Sequence, residues 1–478
     1  MPPLRLNDLP SDVLARVFCI LDALSMVRVF ATCTDIRYRT SGDVTLLEET
    51  IRHRAADRGR VCPAQMPPDF TSREAHLAWL DACDVAWAPV AGGPTCAYFV
   101  AGGRLMSCGV ETDLRRGALG HAHTVSDGKF AVSTPTQPLT TAHIRICGVS
   151  AGLGFGTAVS ATGALYTWGI GHNGRLGHGD QEHSLVPRQV LALAGHRVVS
   201  VSTGAEHSLA VTDAGEVFSW GFDSHGQCGL GCYNVDHPKP RRIAALTGVQ
   251  VCSTSAGHYH SVALAREGTV YSFGYNGIGQ LGIGPSLSVL EPQAVEALRG
   301  VKIASVAAGS FHTLARNKDG TVWAWGDNSY GALGRSGDGT PLPQIVAALH
   351  GIAICRVAAG IMSSGAVTDT GKLYTWGAGR LGQFQHTPRT VQTMDGEYAY
   401  VEALQREFAW APRRISALRG EWVVAVSMNH MQVIAVTRTG TVFGWGLTCD
   451  GGAKLHNRGL GWSQLVITSS PIWAQSAS

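Results

Sequence analysis

The sequence predicts a mainly β protein: a seven-bladed β-propeller preceded by a small all-α segment and a helical linker. Three observations carry this. An aromatic residue followed by glycine recurs at Trp168-Gly169, Trp220-Gly221, Phe273-Gly274, Trp325-Gly326, Trp376-Gly377 and Trp445-Gly446, with Cys108-Gly109 as a degenerate seventh. Seventeen residues before these glycines stand the anchors Gly92, Gly152, Gly204, Gly257, Gly309, Gly360 and Asn429. Eleven residues after each anchor comes a turn glycine: Gly103, Gly163, Gly215, Gly268, Gly320, Gly371 and Gly440. A second ruler agrees: Pro135, Pro187, Pro240, Pro292, Pro343 and Pro412 each precede the next anchor at the same spacing that separates anchor from aromatic-Gly. All length variation falls between an aromatic-Gly and the next proline, in gaps of 26, 18, 19, 18, 17 and 35 residues, so the period is about 52 with two insertions.

The elements follow in chain order. Leu9, Val13, Leu14, Val17, Phe18 and Leu21 recur at helical spacing. Pro10 suits the first turn of that helix and Asp12 its positive end. Second and third short helices are expected over 25–33 and 34–39. Three such helices bury little surface alone and want a partner. Residues 44–60, with Leu46, Leu47, Ile51 and Ala55, and residues 71–82 also read as helical. Thr71-Ser-Arg-Glu74 is a capping-box pattern ahead of Leu77, Trp79 and Leu80. Pro63, Pro67 and Pro68 mark an irregular link between the two. The predicted divisions are therefore 1–43, 44–86 and 87–478.

Beyond residue 86 each unit reads as short strands. Segment 306–326 is typical: apolar, β-branched and aromatic runs are bounded by Gly309 and by Asp319-Gly320. Asp-Gly between such runs signals a hairpin, because the turn needs positive φ. Four strands and their turns need about 50 residues, which makes each unit one propeller blade. Because no proline holds the corresponding place before Gly92, the outer part of the first blade is expected from the C-terminal stretch Gln464 to Trp473.

Composition narrows the function. With 45% hydrophobic and 15% charged residues, the chain can bury a large core. The net charge of +3 argues against a dominant nucleic-acid-binding role, so no nucleic acid is expected as partner. No apolar run is long enough to span a bilayer, and no membrane partner is expected. The N-terminus has no apolar signal core, and the 12 cysteines include no C-x-x-C, which suits reduced thiols in cytoplasm or nucleus. Cys228 and Cys232, flanked by His225 and His237, are a conceivable zinc set. Structural sites usually use tighter paired spacings, so these residues read as one turn of the repeat and no metal or cofactor is expected.

The pattern Ala-Ala-Gly, a following His, Asp-Gly-x-Val-Trp-x-Trp-Gly and then Gly-x-x-Gly-x-Leu-Gly (275–282 holds Tyr275-Asn-Gly-Ile-Gly-Gln-Leu-Gly282) resembles the regulator-of-chromosome-condensation repeat. The resemblance covers about residues 87–478 and implies a seven-bladed propeller, in agreement with the count. Residues Leu9-Pro10, Asp12, Leu14, Val17-Phe18, Leu21-Asp22 and Met26-Val27 resemble the F-box. Ile36 and Thr32 stand where that motif usually has Trp and Val. The F-box resemblance implies that Leu9, Pro10, Leu14, Val17, Phe18, Leu21, Met26 and Val27 contact the Skp adaptor, which links them to a cullin–RING ubiquitin ligase. A small helical cap on the propeller is the alternative.

Several motifs invite chemistry. Gly277-Ile-Gly279-Gln-Leu-Gly282 and Gly169-Ile-Gly171-His-Asn-Gly174 match G-x-G-x-x-G, but neither opens a helical pattern and both occupy the same repeat position. His207, His260 and His312 fall three residues after their anchors, where other units place Thr95, Phe155, Ser363 and Gln432. No closed histidine ring exists, so these are expected to be buried imidazoles bonded to backbone. One member of the repeat family senses ultraviolet light through tryptophans just after the anchor glycine. Here those positions hold Ala205-Glu206, His258-Tyr259 and Ser310-Phe311.

The expected function is that of a non-catalytic substrate receptor in a Skp–cullin–F-box ubiquitin ligase, with the propeller holding an unknown protein substrate. The alternative is a guanine-nucleotide exchange factor for a Ran-like GTPase, or a chromatin binder. That family prototype carries a basic tail, whereas residues 1–86 hold 10 basic and 12 acidic side chains. Loops of variable length carry specificity on repeat scaffolds. The long connections 110–134, 378–411 and 447–463 belong to consecutive blades of a closed ring. Candidate partner contacts there are Arg115, Arg116, Arg380, Tyr398, Tyr400, Arg406, Phe408 and Trp410, since Arg and aromatics dominate hot spots.

Overall fold

The computed structural model describes residues 40–41, 44–45, 90–94, 96–101, 103–112, 117–122, 129–378, 408–428, 432–438, 441–446 and 463–465. The chain divides into two compact units, Met1–Val85 with Ser476–Ser478, and Ala86–Gln475. In the first, Thr40–Ser41 pairs antiparallel with Val44–Thr45, so the start of the expected helix at 44–60 is extended. The other helical expectations before residue 87 lie outside the described residues.

The second unit is a ring of seven four-stranded antiparallel sheets. Blade one comprises Val90–Gly92, Cys96–Ala101, Arg104–Thr112 and Lys129–Thr136, paired in that order. Blades two to six repeat the pattern, starting at Ile146, Val198, Val251, Ile303 and Ile354. Blade seven comprises Val423–Met428, Gln432–Thr437, Val442–Gly446 and Ser463–Leu465. The first strands of neighbouring blades pack on one another and line the centre, while each second strand packs on the first strand of the next blade.

The ring does not close as the sequence suggested. Gln464 lies in the fourth strand of blade seven, where it pairs with Phe443, and blade one takes all four strands from residues 90–136. Residues 466–473 lie outside the described set. The repeat read from sequence spans two blades: its proline sits in the outer strand of one blade, and its aromatic-Gly ends the third strand of the next. A missing proline before Gly92 therefore signals no missing strand. Blades seven and one meet by packing of Val423–Met428 and Gln432–Thr437 on Val90–Gly92, with the Gly92 N–H donating to Ser427 Oγ at 3.0 Å.

The anchor glycines are required by close approach. A Cβ on Gly309 would collide with the Gly360 carbonyl oxygen of the next blade and with the His312 ring of its own. In blade one the structural anchor is Gly93 rather than Gly92. Its N–H bonds Cys96 O at 2.8 Å, as Gly152 bonds Phe155 O and Gly204 bonds His207 O. The hairpin between the second and third strands is one residue shorter in this blade, which places Cys96, not Thr95, opposite the aromatic-Gly position.

Among the described residues, one carbonyl in the loop after the third strand ties neighbouring blades. Trp220 and Ser208 of blade three both donate to Arg175 O of blade two, at 2.9 and 3.3 Å. Trp325 and Thr313 of blade five both donate to Gln280 O, at 2.9 and 2.8 Å. Trp376 and Ser364 of blade six both donate to Ala332 O, at 2.8 and 2.7 Å. Phe273 takes the indole position of blade four, so Ser261 alone donates to Gln227 O, at 2.7 Å. Each indole is fully buried and packs back on the preceding blade: Trp325 sits among Val262, Leu264 and Val270. The glycine-rich loops are thus the interblade clamp, not a phosphate cradle. A Cβ on Gly282 would meet the Trp325 indole, at 2.7 Å from Nε1.

A further repeat escaped the sequence reading. Val190, Ile243, Val295, Val346 and Ile415, all buried, each lead into a single 3-10 turn. Each turn ends on a buried leucine: Leu193, Leu246, Leu298, Leu349 or Leu418. Its signature, Ala-Leu-x-Gly, is present at 192–195, 245–248, 297–300, 348–351 and 417–420.

Thr313→Val keeps the shape of the clamp and removes its hydroxyl. It should destabilise the propeller by about 1–3 kcal/mol, because a buried donor and acceptor lose a shared partner. The measurement is the urea midpoint; an unchanged midpoint would show that the clamp contributes nothing.

Candidate functional site

The three histidines lie beneath the face formed by the loops after the first and third strands. His207 Nε2 lies 2.8 Å from Ser261 Oγ, His260 Nε2 2.9 Å from Thr313 Oγ1, and His312 Nε2 2.9 Å from Ser364 Oγ. Each hydroxyl belongs to the next blade and already gives its proton to a loop carbonyl. The imidazole must therefore donate, which fixes the Nε2–H tautomer and leaves Nδ1 as a lone pair. The expected backbone partner is corrected: the histidine bonds a neighbouring blade's hydroxyl, which relays to backbone. Burial holds these rings neutral. His207 and His260 are pushed down to about 3, with nearby histidines adding to the shift, and His312 to about 4. Their protons are committed to holding blades together, so they are not catalytic groups.

Above them the variable positions form an aromatic strip. His258 stacks on Tyr259, with ring centroids 4.2 Å apart and planes at 22°. His225 meets Tyr259 at 5.2 Å and Tyr275 at 4.9 Å, and His258 meets Phe311 edge-on at 5.9 Å. Tyr259 and Phe311 occupy equivalent places in blades four and five, and Met362 follows in blade six. In blade three this place holds Glu206, whose carboxylate accepts from buried Arg175 at 2.8 Å and from Asn173 at 3.1 Å. Around the strip, Tyr233, Val235, Ile278 and Leu287 are exposed on the loops of blades three and four. This surface suits stacking and apolar contact with a protein. Sequence reasoning looked at Tyr259 and Phe311 only for tryptophan, yet the run Glu206, Tyr259, Phe311, Met362 at one repeat position was the signal.

The adaptor candidates Leu9, Pro10, Leu14, Val17, Phe18, Leu21, Met26 and Val27 lie outside the described residues. So do Arg115, Arg116, Arg380, Tyr398, Tyr400 and Arg406. Phe408 and Trp410, expected in the long connection, belong to the outer strand Phe408–Arg414 of blade six, where Phe408 pairs with Ala378. Pro412 sets this: outer strands begin upstream of that proline in the other blades too, as Ser184 precedes Pro187. Trp410 is 37% exposed and lies over Gly331 of blade five. The expected connection 110–134 is shorter at both ends, because the third strand of blade one runs to Thr112 and the fourth begins at Lys129; Gly109, Gly377 and Gly446 lie at the same end of their third strands as the aromatic strip. Of the conceivable zinc set, Cys228 Sγ turns to Phe222 O and His225 Nδ1 bonds Ser224 Oγ, while Cys232 and His237 come together.

Two outcomes follow from this geometry. An imidazole that is neutral in the fold but protonates at about 6.5 when unfolded costs stability as pH falls below that value. The loss continues down to the folded pKa, with a slope approaching about 1.4 kcal/mol per pH unit per group. Urea midpoints should therefore drop steeply between about pH 6 and pH 4. His312→Gln should make that drop shallower; an equal slope would remove His312 from the account. If the connection 378–411 is a partner contact, as expected from the sequence, deleting 392–405, which spares the strand at Phe408, should abolish capture of a protein substrate and leave the thermal midpoint unchanged. Undiminished capture would exclude that connection as a contact.

The family model described as RCC1-like domain matches residues 65–401. The chain is 34% identical over 343 residues to the E3 ubiquitin-protein ligase HERC2 of Homo sapiens, covering 70% of this chain and 7% of the ligase. It is 36% identical over 301 residues to the ultraviolet-B receptor UVR8 of Arabidopsis thaliana, covering 62% of this chain and 64% of the receptor. This chain thus spans less than two thirds of these relatives. Among solved structures it is similar to Prp20p of Saccharomyces cerevisiae, with TM-score 0.63, 20% identity, 84% of this chain and 91% of that one. That likeness shows the fold. With seven four-stranded blades, repeated interblade clamps and a family match over residues 65–401, the chain belongs to the RCC1-like domain family.

Proposed function

We propose that the chain is the substrate-recognition subunit of a Skp–cullin–F-box ubiquitin ligase. In this reading residues 1–43 dock the Skp adaptor, and through it the cullin, while the loop face of the propeller holds a protein substrate. The subunit performs no chemistry of its own; thioester and amine chemistry belongs to its partners. It needs no cofactor and works in cytoplasm or nucleus without nucleic acid or membrane.

The observation that carries the proposal is a pairing within one chain. A helical pattern with Leu9-Pro10, Leu14, Val17-Phe18, Leu21 and Met26-Val27 stands ahead of a propeller with a half-exposed aromatic face. A docking element and a docking face on one polypeptide are what a bridging subunit requires. The HERC2 relative, a ubiquitin-protein ligase by name, supports the association of this propeller type with ubiquitin transfer. UVR8 supports no light-sensing reading, since Ala205-Glu206, His258-Tyr259 and Ser310-Phe311 stand where that reading requires tryptophan.

The test is co-purification with the Skp adaptor and cullin, comparing wild type with Leu9→Ala/Pro10→Ala. Adaptor is expected with the wild type and lost from the double variant. Adaptor absent from both would make residues 1–43 a cap and overturn the proposal. The propeller would then be assayed for nucleotide exchange on a Ran-like GTPase. That alternative draws on Prp20p, whose binding to Gsp1p and histones is that protein's own.

A further inference from the structure

In blade three, three side chains from separate places converge on one point. Asp223 ends the third strand, Cys232 lies in the following loop, and His237 lies in the outer strand. Asn234, in the left-handed region at φ 57, turns the loop back so that the last two face the first. Cys232 Sγ is 3.5 Å from His237 Nε2 and 3.9 Å from Asp223 Oδ2, and those two atoms are 3.4 Å apart.

We infer that Asp223, Cys232 and His237 form a binding site for a divalent transition metal of the zinc class. Four arguments support it. First, ligands at ordinary zinc bond lengths on a tetrahedral ion stand about 3.6 Å (N to S) and about 3.3 Å (N to O) apart. The two distances from His237 Nε2 match, while Cys232 Sγ and Asp223 Oδ2, at 3.9 Å, stand a little wider than the about 3.6 Å such an ion would set. Second, a direct imidazolium–carboxylate hydrogen bond would draw its two atoms well inside the 3.4 Å seen here, and this buried pair does not close. Third, both partners face the same nitrogen, Nε2. A nucleophile–base–acid relay would use the two ring nitrogens separately. Fourth, thiolate, imidazole and carboxylate together are a zinc ligand set.

The repeat itself supplies the control. The place of Asp223 is held by Asn276 in blade four and Asn328 in blade five. The Asn276 amide donates to Gly284 O and Ser286 Oγ, and that of Asn328 to Arg335 O and Gly337 O. Their side-chain oxygens accept from Leu281 and Leu333, as Asp223 Oδ1 accepts from Cys228 at 3.0 Å. Blade three keeps that acceptor and replaces the amide donor with a second anionic oxygen. The place of His237, opposite the aromatic-Gly glycine, holds Val289 in blade four and Thr340 in blade five. An acid, an imidazole and a thiol therefore replace the ordinary loop lock together, in one blade only among the described ones. The bond from Cys228 N orients the carboxylate, as outer-shell partners do in metal sites.

Asp223 and His237 are buried and Cys232 is half-buried, so an ion enters from the Cys232 side. Binding releases the thiol proton to solvent. Three protein ligands leave a fourth position for water.

The full-length chain, stripped with a chelator, is titrated with Co(II), and zinc content is measured after zinc loading. One equivalent of either metal is expected, with a near-ultraviolet thiolate-to-cobalt absorption. Cys232→Ser should lose that absorption. Asp223→Asn, which restores the side chain of blades four and five, should weaken binding at least about 100-fold while leaving the circular dichroism unchanged. His237→Val, copying blade four, should do the same. No uptake by the wild type, uptake without thiolate absorption, or equal uptake by all three variants would each overturn the assignment. Should His237→Val fail to fold, Asp223→Asn decides.

Discussion

The carbonyl groups of Arg175, Gln227, Gln280 and Ala332 each receive donors from the following blade, and the rest of the ring is arranged around that requirement. A four-stranded sheet of this size has two apolar faces and cannot hide either alone. Stacking it on a neighbour buries both, but apolar packing has no direction of its own. At the described boundaries a main-chain acceptor, met by an indole, a hydroxyl or both in a dry setting, supplies that direction. The cost of leaving such groups unpaired is what fixes one blade angle rather than several.

The same requirement explains which residue types recur. Indole is the one large apolar side chain that also carries a donor and no acceptor, so Trp168, Trp220, Trp325 and Trp376 both fill and orient. Phe273 fills without orienting, and there His207 and Ser261 carry the boundary. Blade two lacks both histidine and hydroxyl. At its boundary with blade one the indole of Trp168 donates to Ala118 O, which also accepts from the Tyr98 hydroxyl of blade one, and the Tyr98 ring meets Trp168 edge-on at 5.1 Å. The boundaries are thus variations on one set of bonds.

Much of this fold was legible in sequence because close packing leaves periodic marks. Gly309 is glycine because a Cβ would strike the next blade, and Gly326 because its φ is 100°. Both constraints recur from blade to blade, with Asn429 the exception at the anchor place, so spacing alone exposed seven units. Phase was not legible: a repeat has no natural start, and reading from proline to aromatic-Gly cut each sheet at its outer strand. That error produced the exchanged strand expected at Gln464. Phe408 and Trp410 went astray for a related reason, since an outer strand is anchored only by Pro412. Contacts between blades were hidden too. Nothing in the spacing of His312 and Ser364, 52 residues apart, says that they touch. The convergence of Asp223 with Cys232 and His237 was half visible, as two cysteines and two histidines in one loop. Choosing the right pair needed the direction of each side chain.

That the clamp accepts at a main-chain oxygen has a consequence for the side chain of the residue that carries it. The side chain at that position is Arg175, Gln227, Gln280 or Ala332 without change to the bond it anchors. The bond itself therefore places no demand on that side chain, which is buried and, for the arginine and glutamines, tied into its own loop. Arg175 shows the latitude in use: its carbonyl holds blade three by Trp220 while its guanidinium reaches across to Glu206 on the loop face. One residue thus serves a blade boundary through its main chain and the loop face through its side chain, with no bond in common.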